Sequence, residues 1–172
     1  MLKGKVIILL CYVFFIVLNQ NVKANELSNP SFQVHVVGHG PAIILIPGLM
    51  SDQRVWQNLV AALKPRYQLH LVSLAGFAGT AASASPVQLK QVNRELASYI
   101  QHQQLKRPIL IGHSMGAFLA FQLASSYPTL AGKIIAIDGL PFLAPVYSRD
   151  SSTTATQMAP QAKMIQQYYQ QM

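Results

Sequence analysis

Short apolar runs alternate with amphipathic stretches between Phe32 and Pro141. Phe32-Gln33-Val34-His35-Val36-Val37 alternates at period two, the pattern of a half-buried strand, and Gly38-His39-Gly40 closes it. Ala42-Ile43-Ile44-Leu45-Ile46 is apolar at every position, as a strand covered on both faces of a parallel sheet must be. Pro47-Gly48 breaks that run, and Ser51-Asp52 offers a helix cap. Val55, Trp56, Leu59, Val60 and Leu63 then recur at helical spacing up to Lys64-Pro65. A third strand is predicted over Tyr67–Leu74, followed by a Gly- and Ala-rich loop from Ala75 to Ser85. Ser85-Pro86 predicts the start of a long helix with Leu89, Val92, Leu96, Tyr99 and Ile100 on its apolar stripe. Strands are predicted again at Ile109–Ile111 and Lys133–Asp138, with a helix between them that stops near Tyr127-Pro128.

Five strands interleaved with helices imply an α/β fold: a mostly parallel, doubly wound sheet with helices on both faces. The pattern changes after Pro141. Residues 148–156 are polar and loop-like, and residues 158–172, rich in Gln and Met, have helical character.

The N-terminus has a different composition. Lys3 and Lys5 precede the uncharged apolar run Val6–Leu18, and Val22-Lys23-Ala24 presents a small residue at a cleavage position. This is the layout of a secretory signal peptide over residues 1–24. The apolar run falls short of the roughly 20 residues a spanning helix needs, so no stable membrane anchor is expected after cleavage. Cys11 lies inside the apolar run behind bulky Leu10, which argues against a lipid-modified cysteine. It is the only cysteine, so the mature chain from about Asn25 would have no disulfide. Export to a periplasm or the exterior is the expected localisation.

Thirteen Lys and Arg against five Asp and Glu give a net charge of +8. Three of the lysines, Lys3, Lys5 and Lys23, belong to the leader. The others are scattered, with no basic patch interleaved with aromatics, so nucleic acid is not an expected partner. The chain has no H-E-x-x-H, no cysteine-rich metal site and no G-x-G-x-x-G, so no cofactor and no metal are implied.

Gly112-His113-Ser114-Met115-Gly116 directly follows the run Ile109–Ile111 and precedes a helical pattern. Strand, sharp turn and helix are the context in which G-x-S-x-G presents a serine nucleophile. A serine that merely caps the following helix is the alternative, but a cap needs no glycine on either side. A serine hydroxyl also needs a base to take its proton. The five histidines are His35, His39, His70, His102 and His113, and all precede Ser114.

From Phe32 to Pro141 the chain resembles the α/β-hydrolase superfamily. Four segments carry the resemblance: Leu45-Ile46-Pro47-Gly48-Leu49, Leu74-Ala75-Gly76-Phe77-Ala78-Gly79, the Ser114 motif, and Ile137-Asp138-Gly139-Leu140-Pro141. The resemblance implies a serine hydrolase acting on a small-molecule acyl substrate, most simply a carboxylic ester, through an acyl-enzyme. Ser114 is the implied nucleophile. The backbone N–H groups of Leu49 and Met115 are the implied oxyanion donors, the latter at a helix N-terminus where the dipole assists. Asp138 occupies a position that a minority of lipases in the superfamily use for the acid; its other reading is an Asp-Gly turn. The superfamily's base follows the nucleophile in chain order. No residue here fills that role, and the chain alone is expected to be inactive. The resemblance therefore covers the N-terminal part of such a fold, residues 25–145, truncated after about five strands. Residues 146–172 are the start of a lid or a disordered tail. The competing expectation is a non-catalytic α/β-hydrolase-like binding protein or the product of an interrupted gene.

Overall fold

The computed structural model describes residues 31–83, 87–142, 149–150 and 152–170. The leader expected over residues 1–24 lies outside the described residues, as do Ser85 and Pro86 and part of the lid stretch. Five strands form one sheet: β1 (Phe32–Val37), β2 (Ala42–Ile46), β3 (Gln68–Leu74), β4 (Ile109–His113) and β5 (Ile134–Ile137). The spatial order is β1-β3-β2-β4-β5. β1 pairs antiparallel with β3, from Phe32 opposite Leu74 to Val37 opposite Leu69. All other pairs are parallel, with Ile44 opposite both His70 and Leu110, and His113 opposite Ile137.

A short 3-10 turn (Gln53–Trp56) leads into helix α1 (Gln57–Leu63). Helices α2 (Leu89–His102), α3 (Met115–Ser126) and α4 (Ala155–Gln170) follow. Alternation along β2 sorts the core into two layers. Ile44 and Ile46 join Val72, Leu74 and Leu110 beneath α2 and α3, which contribute Val92, Leu96, Ile100, Leu119 and Leu123. Ile43 and Leu45 join Leu69, Leu71, Ile111 and Trp56, with Leu59, Val60 and Leu63 of α1 packed against them. Each fully buried aliphatic side chain contributes about 1.5–3 kcal/mol of transfer free energy, so both layers hold the sheet that carries the Ser114 turn.

Two helix starts differ from the sequence expectation. α2 begins at Leu89, with Gln88 as its extended flanking residue, rather than at Ser85-Pro86. Partly buried Val87 packs against the core just before it. α4 opens on a reciprocal cap: Thr154 N donates to Gln157 Oε1 at 2.7 Å, and Gln157 N donates to Thr154 Oγ1 at 3.3 Å. The Asp52 cap forms as expected, accepting from Arg54 N at 2.8 Å.

β5 is apolar in sequence yet is the last strand of the sheet among the described residues, with Ile135 49% and Ile137 42% exposed. Among the described residues no helix is long and apolar enough to cross a membrane.

Candidate active site

Ser114 joins β4 to α3 with φ 50° and ψ −116°. A non-glycine residue in that region stores about 1–3 kcal/mol of backbone strain. Surrounding contacts hold it there. Ser114 N donates to Ile137 O at 2.9 Å, and Ser114 O accepts from Ala117 N at 3.0 Å and Phe118 N at 3.2 Å. Its side chain makes no capping bond to the helix and is solvent-exposed. The hydroxyl is therefore not a helix cap.

The flanking glycines have separate steric reasons. A Cβ on Gly112 would run into the backbone of Gly116 and Ala117. A Cβ on Gly116 would run into the Ile46 carbonyl and lie 2.7 Å from Pro47 O. Loss of both side chains lets the first turn of α3 press onto the end of β2, which brings the turn after β2 beside the serine. A Cβ on Gly48 would lie 2.8 Å from His113 Nδ1 and 3.4 Å from Ser114 Cβ. Leu49 is the next residue. Neither Leu49 N nor Met115 N donates a hydrogen bond among the described residues. Two unspent backbone donors thus stand on the segments that flank Ser114.

The turn after β5 closes the third side. A Cβ on Gly139 would lie 2.7 Å from Ser114 O. Asp138 just before it has φ 47°, a left-handed turn conformation that Asp tolerates. Its side chain is exposed and has no hydrogen-bond partner among the described residues. Ser114, Leu49, Met115 and the Asp138-Gly139 turn converge at the C-terminal edge of the sheet.

The histidines do not join them; none is hydrogen-bonded to Ser114. His35 lies on β1, His39 in the turn after it, and His102 at the exposed end of α2. His70 is buried, with Nδ1 2.6 Å from Tyr99 Oη and Nε2 3.2 Å from Gln68 Oε1. His113 lines an open cleft of about 280 Å³ together with Ser51, Val55, Trp56 and Ile137. Alternation along β4, which places Ile109, Ile111 and His113 on one face, was the available signal for that position. No three His, Cys, Asp or Glu side chains gather into a metal-binding group among the described residues.

Sequence periodicity did not reveal the braces on the Leu49 turn. Gln53 N donates to Ser73 Oγ at 3.2 Å. Arg54 grips Asp52 with Nε at 2.9 and 3.0 Å and reaches Ala78 O at 3.0 Å, tying this turn to the loop after β3. The side-chain hydrogen bond from Arg54 holds the Asp52 carboxyl below the usual carboxylate range.

Comparison with known proteins extends this geometry. A family model described as the alpha/beta hydrolase family matches residues 43–170. A pimeloyl-[acyl-carrier protein] methyl ester esterase of Aeromonas hydrophila is 34% identical over 113 residues, covering 64% of this chain and 42% of that protein. The enzyme of the same name from Xanthomonas oryzae is 33% identical over 99 residues, covering 58% of this chain and 37% of that protein. Among solved structures, a thermophilic esterase from Thermogutta terrifontis superposes with a TM-score of 0.58 at 23% identity, covering 63% of this chain and 40% of that one. A putative epoxide hydrolase from Pseudomonas aeruginosa gives 0.61 at 19% identity, covering 74% and 42%. At those identities the superpositions speak to fold alone. The chain spans about two fifths of the length of the relatives it matches. With the family model covering most of its length, the chain belongs to the alpha/beta hydrolase family.

Proposed function

We propose that the chain carries the nucleophile and the oxyanion donors of a serine hydrolase that cleaves carboxylic esters through an acyl-enzyme. Ser114 attacks the acyl carbonyl, and the backbone N–H groups of Leu49 and Met115 receive the developing oxyanion. The single observation that carries the reading is the strained Ser114 turn, whose hydroxyl is not spent on capping α3. Donors aimed at a tetrahedral oxyanion are each worth about 10²–10³ in rate. The kinship with methyl ester esterases supports ester cleavage as the reaction class. Asp138 is the candidate acid by its place at the end of β5, and no described residue serves as base. The basic and apolar leader over residues 1–24 supports an exported protein, periplasmic or secreted.

One observation favours a second reading, a non-catalytic α/β-hydrolase-like binding protein: no described histidine is hydrogen-bonded to Ser114. A thiol separates the two readings, because it attacks esters without a dedicated base. In a Cys11→Ser background, Ser114→Cys is mixed with p-nitrophenyl butyrate and acylation is followed by mass spectrometry. The hydrolase reading expects acylation at least about 100-fold faster in the folded chain than in urea, the effect of one oxyanion donor or more. Equal rates would leave only the binding-protein reading.

A further inference from the structure

We propose that His70 and Tyr99 form an acid-sensitive latch, which holds α2 against the sheet at neutral pH and releases it when His70 takes a proton. His70 lies in the middle of the sheet, opposite Val36 of β1 and Ile44 of β2, and is 2% exposed. Its two ring nitrogens are both engaged, and their partners dictate one neutral tautomer. Gln68 Oε1, 3.2 Å from Nε2, can only accept, so Nε2 carries the hydrogen. Nδ1 is left to accept from the Tyr99 hydroxyl at 2.6 Å. The rings also meet edge to face, with centroids 5.7 Å apart. Tyr99 in turn stands edge-on to Phe32, the first residue of β1, at 6.3 Å. One hydroxyl–imidazole contact thereby joins β3, α2 and β1.

An imidazolium would break this arrangement. Both its nitrogens donate, so the Tyr99 hydroxyl would have to become the acceptor and turn its own proton away from the ring. Among the described residues no carboxylate stands ready to compensate. The residues sharing this face are Phe32 and Val34 from β1, Ile44 and Ile46 from β2, and Val72 and Leu74 from β3, with half-exposed Val36 and the Gln68 amide at its margin. α2 presents Leu96, Tyr99 and Ile100, and α3 has no charged residue. The charged or titratable groups on α2 are Lys90, Arg94 and His102, which are exposed, and Glu95. Glu95 is engaged elsewhere, accepting from Ser31 N at 2.8 Å, Ser31 Oγ at 3.1 Å and Gln91 Nε2 at 2.9 Å.

Desolvation accordingly pushes the His70 imidazole down and the Tyr99 hydroxyl up to about 12. Opening exposes an ordinary imidazole that titrates near 6.5. The latch therefore holds in full above that value and weakens as pH falls below it. Each further pH unit favours the open form about ten-fold until the latched His70 itself protonates.

Amide hydrogen exchange on the whole chain, corrected for intrinsic rates, reads the latch directly. Between pH 7.5 and 5.5, a window above the ordinary carboxylate range, opening of the Val92–Ile100 amides should increase about ten-fold. The amides of β2 and β4 should change less than two-fold. In His70→Gln, which keeps a hydrogen-bonding side chain but cannot titrate, the α2 step should vanish. A step that persists in His70→Gln would assign the effect to a group other than His70 and overturn the latch. A step of equal size across β2, β4 and α2 in the native chain would also overturn it, by making His70 a burden on the whole fold; this measurement needs no variant.

Discussion

Ser114 and Ile137 are joined by a 2.9 Å backbone hydrogen bond, from the serine N–H to the isoleucine carbonyl. The strained turn that displays the candidate nucleophile is thus anchored on β5, the last strand of the sheet among the described residues. Among the described residues that strand pairs with β4 alone, and the first two predictions test the serine turn and this strand.

Ser114→Gly should stabilise the chain. The turn stores about 1–3 kcal/mol in a non-glycine residue, and glycine adds about 0.5–1 kcal/mol of unfolded-chain entropy. A net gain of about 1 kcal/mol is expected in urea unfolding, while Ser114→Ala, which keeps the Cβ, should show none. Equal stability of the two variants would mean that the backbone strain is not held in solution.

Ile135→Lys should make the chain better behaved. Ile135 is 49% exposed on the edge strand, so little packing is lost, and a lysine there discourages strand-to-strand association. The unsubstituted chain is expected to self-associate and to bind ANS. Size-exclusion chromatography and dye titration should show both reduced in the variant, and unchanged association would move the sticky surface elsewhere.

Gly116→Ala should be destabilising by at least about 2 kcal/mol, the scale of overpacking against a rigid neighbour. The methyl would be driven into the backbone at Ile46 and Pro47, which cannot rotate aside as a side chain could. Chemical unfolding reads this directly. A neutral result would show that the elbow and the end of β2 are further apart than the contact requires.

Turnover of p-nitrophenyl esters by the chain should be no faster than by Ser114→Ala, because no described histidine is bonded to the serine. Residual catalysis from an oxyanion site alone, about 10³–10⁴ over water in serine proteases that lack a triad member, would survive in both. A rate that depends strongly on Ser114 would require one of the existing histidines to serve as base, with His113 the one beside it in the chain.

Expression in a Gram-negative host should yield mature protein beginning at or near Asn25, checked by N-terminal sequencing. A retained Met1 with membrane association would instead make the Val6–Leu18 run an anchor.

The local sequence was enough for the elements and for the serine turn. The unbroken apolar run of β2, the helical spacing from Val55 to Leu63 and the two glycines around Ser114 each express a constraint that acts within a few residues. Helix starts were less legible: Ser85-Pro86 has the right chemistry for a cap, but Gln88 is extended and α2 starts at Leu89. Other features arise between residues far apart in the chain. Strand order places β2 between β3 and β4, and only then does Gly116 meet Ile46, Gly48 meet His113, and Arg54 reach Ala78. His70 likewise finds its Nδ1 partner in Tyr99, 29 residues away. Periodicity says which face a side chain takes; what it meets on that face depends on which strands and helices pair, and tertiary packing decided that.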